Sequence, residues 1–171
     1  MTNNQQQITL TTLDPLTLEP LPPETRQRLL RFPLTKEESG LLPLEKITEI
    51  LRLNWVEILP VPEMPSCILG IGNWRGEMLW LVDLKELVGC TPLSKSGQML
   101  ASPVAIVIEV NNHPLGLVVE QVNDIELHDL QQLQPATAGT FSPKLMPFVL
   151  GSLPGVRGIV LNVTAITKNF A

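Results

Sequence analysis

Few side chains in this sequence have both the type and the spacing that chemistry demands. Neither His113 nor His128 stands in a Cys-x-x-Cys or His-x-x-x-His arrangement, so a zinc site, which needs several such ligands converging, has little support. Gly70-Ile71-Gly72 comes nearest to a dinucleotide-binding turn, but its third glycine, Gly76, is one residue late and no long helix follows. No G-x-S-x-G turn and no glycine–lysine phosphate loop is present. Cys67 and Cys90 sit in apolar surroundings and read as core thiols, because free cysteine is among the most buried residue types. Asp83 lies between Val82 and Leu84 like an active-site acid, yet Glu86 gives it capping-box spacing, the simpler account. No catalytic group, metal or cofactor is expected.

Arg75 is harder to set aside. It is bracketed by Trp74 and Gly76 inside a hairpin rich in Val, Ile and Leu. Two readings stand: a turn arginine with its guanidinium in water, or a protein-contact anchor, since Arg and Trp are enriched at interface hot spots. Trp74 and Trp80 share that hairpin and would lie on one face if both are in strand.

The elements that must position these residues are short. Sixteen prolines among 171 residues leave little room for long helices, and tyrosine is absent, so short strands joined by many turns are expected. Only 17% of the residues are charged, against a usual share of about 25%, which argues for a folded chain of one ordinary domain or two very small ones. A net charge of −5 disfavours nucleic acid or an anionic membrane as main partner, because both need clustered cations. No run approaches the length of a membrane-spanning helix. Two cysteines and no opening signal peptide fit a reduced, cytoplasmic setting.

Residues 1–25, with consecutive glutamines and four prolines, read as a flexible or extended tail, or as one docking across the domain through Leu10, Leu13, Leu16 and Leu18. Residues 26–171 form the folded part. Arg28–Phe32 and Leu41–Leu44 read as a hairpin, and Glu45–Leu53 as either a helical turn or an irregular strand. Pro60, Pro62 and Pro65 imply an extended connection. Cys67–Leu84 reads as strand, tight turn at Arg75-Gly76, strand, with a short helix after Asp83 that ends at Gly89. A polar linker over 91–102 precedes a hairpin whose strands, Val104–Val110 and Leu115–Val122, flank Asn111-Asn112-His113-Pro114. Residues 128–147 read as helix fragments and loop. A last hairpin, Phe148–Val163, is broken at Pro154-Gly155, with Asn162 as a helix cap. Arg75-Gly76 with Asp83 and Leu87 is echoed by Arg157-Gly158 with Asn162 and Ile166, which hints at two related small barrels.

Three blocks together resemble the CheW-like domain of bacterial chemotaxis. Asn73-Trp74-Arg75-Gly76 followed by Val82-Asp83-Leu84 is similar to its Asn-Leu-Arg-Gly and Val-Asp-Leu hallmark. Leu42–Ile50 resembles its early strand, and Leu115–Val122 its Gly-hydrophobic-Val-Val-Asp-x-Val strand. The resemblance covers residues 27–168 in the family's order. Trp74 in place of Leu, Trp80 where proline is common, Glu120 in place of Asp and the missing tyrosine mark a divergent branch.

The resemblance implies a mainly β fold of two small five-stranded barrels, interleaved, with a few short helices and a groove between them. It implies a non-catalytic adaptor that couples the cytoplasmic tip of a methyl-accepting receptor to the regulatory domain of a histidine kinase. Whether the pathway serves chemotaxis, phototaxis or twitching is left open, as is weak self-association. Carried over residue by residue, Arg75 supports receptor coupling with Asn73 and Gly76 shaping its turn, and Gly116 and Val122 line the groove. Ile47, Glu49 and Ile50 fall on the kinase or partner surface. Two other readings stand beside it: a small barrel that binds a ligand in the inter-barrel groove, and a scaffold that self-assembles through its N-terminal tail.

Overall fold

The computed structural model describes residues 24–90, 92–93, 102–137 and 139–170. Among the described residues ten strands and two short α-helices follow one another. They are β1 (Arg26–Pro33), β2 (Ser39–Pro43), β3 (Glu49–Arg52), β4 (Ile68–Trp74), β5 (Glu77–Asp83), α1 (Leu84–Leu87), β6 (Val104–Val110), β7 (His113–Val119), β8 (Asp124–Asp129), β9 (Val149–Ser152), β10 (Gly158–Leu161) and α2 (Val163–Lys168). The expected tail and the linker lie almost wholly outside the described residues.

The strands form two five-stranded sheets with the same topology: β8-β1-β2-β10-β9 in sheet one and β3-β6-β7-β5-β4 in sheet two. Each half of the chain gives its opening hairpin to one sheet and its remaining three strands to the other, so the halves are interleaved. The correspondence extends to pairing. β5 runs parallel to β7 as β10 does to β2, and β3 is antiparallel to β6 as β8 is to β1. It extends to local chemistry as well. Asn54 and Asp129 each cap a 3-10 turn just after an edge strand, and Asp83 and Asn162 each cap a helix by accepting a backbone N–H three residues on. Both sheets curl. The chain leaving β3 forms a two-bond bridge from Leu59 to Ile71 on the opposite edge strand, and Gln134 does the same with Ser152.

Three apolar clusters follow from period-two alternation on curled sheets. Leu79, Leu81, Ala105, Val107 and Val118 fill the concave side of sheet two, and Leu29, Leu41, Leu153 and Val160 that of sheet one. The largest cluster, including Leu30, Phe32, Leu42, Val82, Ile106, Leu117 and Ile159, packs between the sheets. The space between the two sheets is therefore filled core, and any groove is confined to its margin.

Several local expectations change. The segment 45–53 is both alternatives in succession, a 3-10 turn at Leu44–Lys46 and then β3. The proline connection is not extended throughout, because Glu63 adopts a left-handed φ of 62° in a turn. The β6–β7 turn is only Asn111-Asn112, both left-handed as a two-residue hairpin requires, so His113 and Pro114 belong to the strand. Trp74 and Trp80 lie on opposite faces: Trp74 packs on the concave cluster of sheet two and Trp80 on the core between the sheets. The intervening two-residue turn reverses the parity assumed for one continuous strand. β8 occupies a stretch in which no strand was expected.

Candidate functional site

The β4–β5 turn is a left-handed pair, Arg75 at φ 52° and Gly76 at φ 77°. Asn73 supports it, its Oδ1 accepting a hydrogen bond from the Gly76 N–H at 3.0 Å. Glycine takes this conformation freely, but for a side chain such as arginine it costs about 1–2 kcal/mol. The two-residue hairpin imposes it, as it does at Asn111-Asn112. The Arg75 guanidinium carbon lies 4.7 Å above the Trp74 ring, a cation–π contact, and Nη2 is 3.6 Å from Glu49 Oε2. The Trp74 indole N–H donates to the same carboxylate oxygen.

Glu49 comes from β3 and Trp74 from β4, the two opposite edges of sheet two. Curling of that sheet thus builds the cluster, and no spacing in the sequence announces it. Arg75 and Glu49, expected on separate partner surfaces, belong to one patch. Arg75 remains 64% exposed in its side chain despite both contacts.

The other candidate residues fall into two groups. Ile47 and Val122 are half-buried and pack on the core between the sheets, at equivalent points in the two crossovers from one sheet to the other. Ile50 is exposed at the rim of the same face, opposite Ile106 in register. Gly116 is different. It is fully covered inside sheet two, where a Cβ would lie 2.8 Å from Leu81 Cδ2, so it lines no groove and instead leaves room for Leu81.

Sequence reasoning missed Ile125. It stands opposite Leu30 on the inter-sheet face and is exposed, the counterpart of Ile50 in sheet one. The signal was present: Val122, Ile125 and Asp129 repeat the spacing of Ile47, Ile50 and Asn54. Also missed were Val56 (84% exposed) and Leu59 (63%), in the segment that follows β3, and Met78 on β5. Leu59 and Met78 border an open cleft of about 440 Å³ that reaches Asn73 and Gly76.

Several other ionisable groups among the described residues pair with one another or serve the fold. In the cleft of about 900 Å³ beside α1, Lys85 Nζ lies 2.5 Å from Glu120 Oε1, and both are largely buried. Burial pushes the Cys67 and Cys90 thiols up, which keeps them protonated and weakly nucleophilic. Asp83 is fully buried and accepts from the Glu86 and Leu93 N–H groups, as a cap should, while burial raises its carboxyl. Among the described residues no His/Cys/Asp/Glu cluster could hold a metal ion, and no helix is long and apolar enough to cross a membrane.

A sequence profile for the CheW-like domain matches residues 28–168. The chemotaxis protein CheW of Rhizobium meliloti is 32% identical over 82 residues, spanning 48% of this chain and 50% of that protein. The chemotaxis protein CheW of Klebsiella aerogenes is 27% identical over 110 residues, 64% of this chain and 62% of that one. This chain thus spans between half and two thirds of those relatives' own length. The crystal structure of the scaffolding protein TtCheW from Thermoanaerobacter tengcongensis superposes with a TM-score of 0.66 at 24% identity, over 80% of this chain and 89% of that one, a likeness of fold. Matched by the profile over most of its length, the chain belongs to the CheW-like domain family.

Proposed function

We propose that this chain is a non-catalytic adaptor of a chemotaxis-type two-component pathway, coupling the cytoplasmic tip of a methyl-accepting receptor to a histidine kinase. The observation that carries the reading is Arg75: an exposed cation at the tip of a two-residue turn, stacked on Trp74 and loosely paired with Glu49, with donors left open. Arginine over an aromatic platform beside apolar side chains is what a protein interface uses as an anchor.

The receptor tip is an amphipathic helical hairpin, and such a helix docks with its apolar face on apolar side chains. Ile47, Ile50, Val122 and Ile125 supply those at the margin of the inter-sheet core, and Asn73, Arg75, Gly76 and Glu49 supply the polar anchor. The kinase regulatory domain takes the end of sheet two marked by Leu59 and Met78, exposed at the cleft, and by Val56 in the preceding turn. The receptor that is engaged determines whether the response is chemotaxis, phototaxis or twitching.

Calorimetry of the purified chain with the kinase regulatory domain and with a receptor hairpin fragment, both from the same organism, tests this. Micromolar or tighter binding to each, lost from the receptor arm by Arg75→Ala, is expected. Absence of binding to both would overturn the adaptor reading.

A further inference from the structure

Trp74 stands where the family hallmark carries leucine, and the structure gives it two contacts that leucine cannot make. We propose that Trp74 is a positioning residue of the partner surface, holding Arg75 so that one guanidinium edge is engaged and the other is presented to a carboxylate on the partner. The inference rests on the adaptor reading for its partner, but its structural part can be tested without one.

A guanidinium carries five N–H donors in a rigid plane. Stacking on the indole fixes the tilt of that plane, and Glu49 Oε2 lies 3.6 Å from Nη2, an ion-pair separation longer than a hydrogen bond. The same oxygen already accepts the Trp74 indole N–H, so Trp74 both carries the cation and restrains its counter-ion. Arg75 is thereby aimed without being consumed, and its donors stay open to solvent. With leucine at position 74 the stacking platform and the indole donor would both be missing. Glu49 would then be free to close on Arg75, and the side chain would lose its preset direction. Preorganisation of this kind acts on affinity by removing the ordering cost at the moment of binding.

Two measurements test it. By NMR, stacking on the indole displaces the Arg75 Hδ resonances upfield in the wild-type chain, and Trp74→Leu abolishes the displacement. Wild-type Arg75 Hδ shifts at ordinary values would overturn the proposal whatever the chain binds. Affinity for the receptor hairpin fragment is then compared among wild type, Trp74→Leu, Trp74→Phe, Arg75→Ala and the double variant Trp74→Leu/Arg75→Ala. Trp74→Leu is expected to weaken binding about three- to tenfold, with Trp74→Phe, which keeps a ring face, in between. The same change should cost nothing further when Arg75 is already alanine. An equal loss in both backgrounds would make Trp74 a packing residue only and sink the proposal. Failure of wild type to bind the fragment would count against the adaptor reading, while the NMR result would still decide whether Trp74 aims Arg75.

Discussion

Glu126 occupies in sheet one the position that Leu51 occupies in sheet two, each three residues before the cap of a 3-10 turn and each on the concave side. Leu51 packs on the apolar cluster there, whereas Glu126 meets Arg31, whose Nε and Nη2 donate to its two oxygens at 2.5 and 2.9 Å, and His128, whose Nε2 lies 2.8 Å away. Arg31 Nη1 also donates to the Arg157 carbonyl, so one guanidinium ties β1, β8 and the approach to β10. The Arg31 hydrogen bonds hold the Glu126 carboxyl down at about 2.

Acid should therefore weaken the fold through this pair. A carboxyl that titrates lower in the folded chain than in the unfolded one contributes its full stability above the unfolded value of 4.5 and loses it as the pH falls through about 2. Thermal melts from pH 6 to pH 2 should show the wild-type midpoint falling in that window. Glu126→Gln should melt lower at pH 6, by about 1–2 kcal/mol, and with a flatter acid slope. An unchanged slope would show that other carboxylates govern acid unfolding.

The same pair explains why β8 was not legible. Its alternation is inverted, with Asp124, Glu126 and His128 on one face and Ile125 and Leu127 exposed on the other. The charged face is satisfied by Arg31, 95 residues away in sequence, and local pattern carries no record of that. What could be read was local. Asp83 and Asn162 cap helices through their own backbone neighbours, and Arg75-Gly76 turns because a two-residue hairpin needs left-handed residues. The Glu49–Trp74–Arg75 cluster was out of reach because only closure of a sheet joins its two edges.

Replacing both partners should restore what replacing one destroys. Glu126→Leu leaves Arg31, whose side chain is only 16% exposed, without its counter-ion, and should destabilise the chain by about 3 kcal/mol. Glu126→Leu with Arg31→Val copies the apolar pattern of Leu51 and Val107 in sheet two and should recover most of that loss. Chemical denaturation of both variants measures it, and a double variant no better than the single would refute the equivalence of the two sheets at this point.

Asp83 belongs to the hallmark but its work is structural. Asp83→Ala removes the acceptor for the Glu86 and Leu93 N–H groups and should cost about 2 kcal/mol, or about 4–8 °C in Tm. Partner affinity at 10 °C should be unchanged. A loss of affinity without a loss of Tm would move Asp83 to the interface.

Gly116 should behave the same way. Gly116→Ala forces a Cβ to 2.8 Å from Leu81 Cδ2, and Leu81 is fully buried, so overpacking of about 1–3 kcal/mol is expected. Any weakening of binding should then track the fraction unfolded. Full stability with lost binding would place Gly116 at a contact surface after all.

Arg75 offers the sharpest contrast, because stability and binding should move in opposite directions. Its left-handed backbone is unfavourable for arginine and free for glycine, and nothing lies within 4 Å of the Cβ that the neighbouring Gly76 lacks. Arg75→Gly should therefore remove strain and raise stability by about 0.5–1 kcal/mol, offset in part by the lost Trp74 and Glu49 contacts. Affinity for the receptor fragment should fall at least tenfold, the loss of an interface anchor. A residue kept for the fold would show the reverse, a lower Tm with intact binding, and calorimetry and a thermal melt on the one variant separate the two.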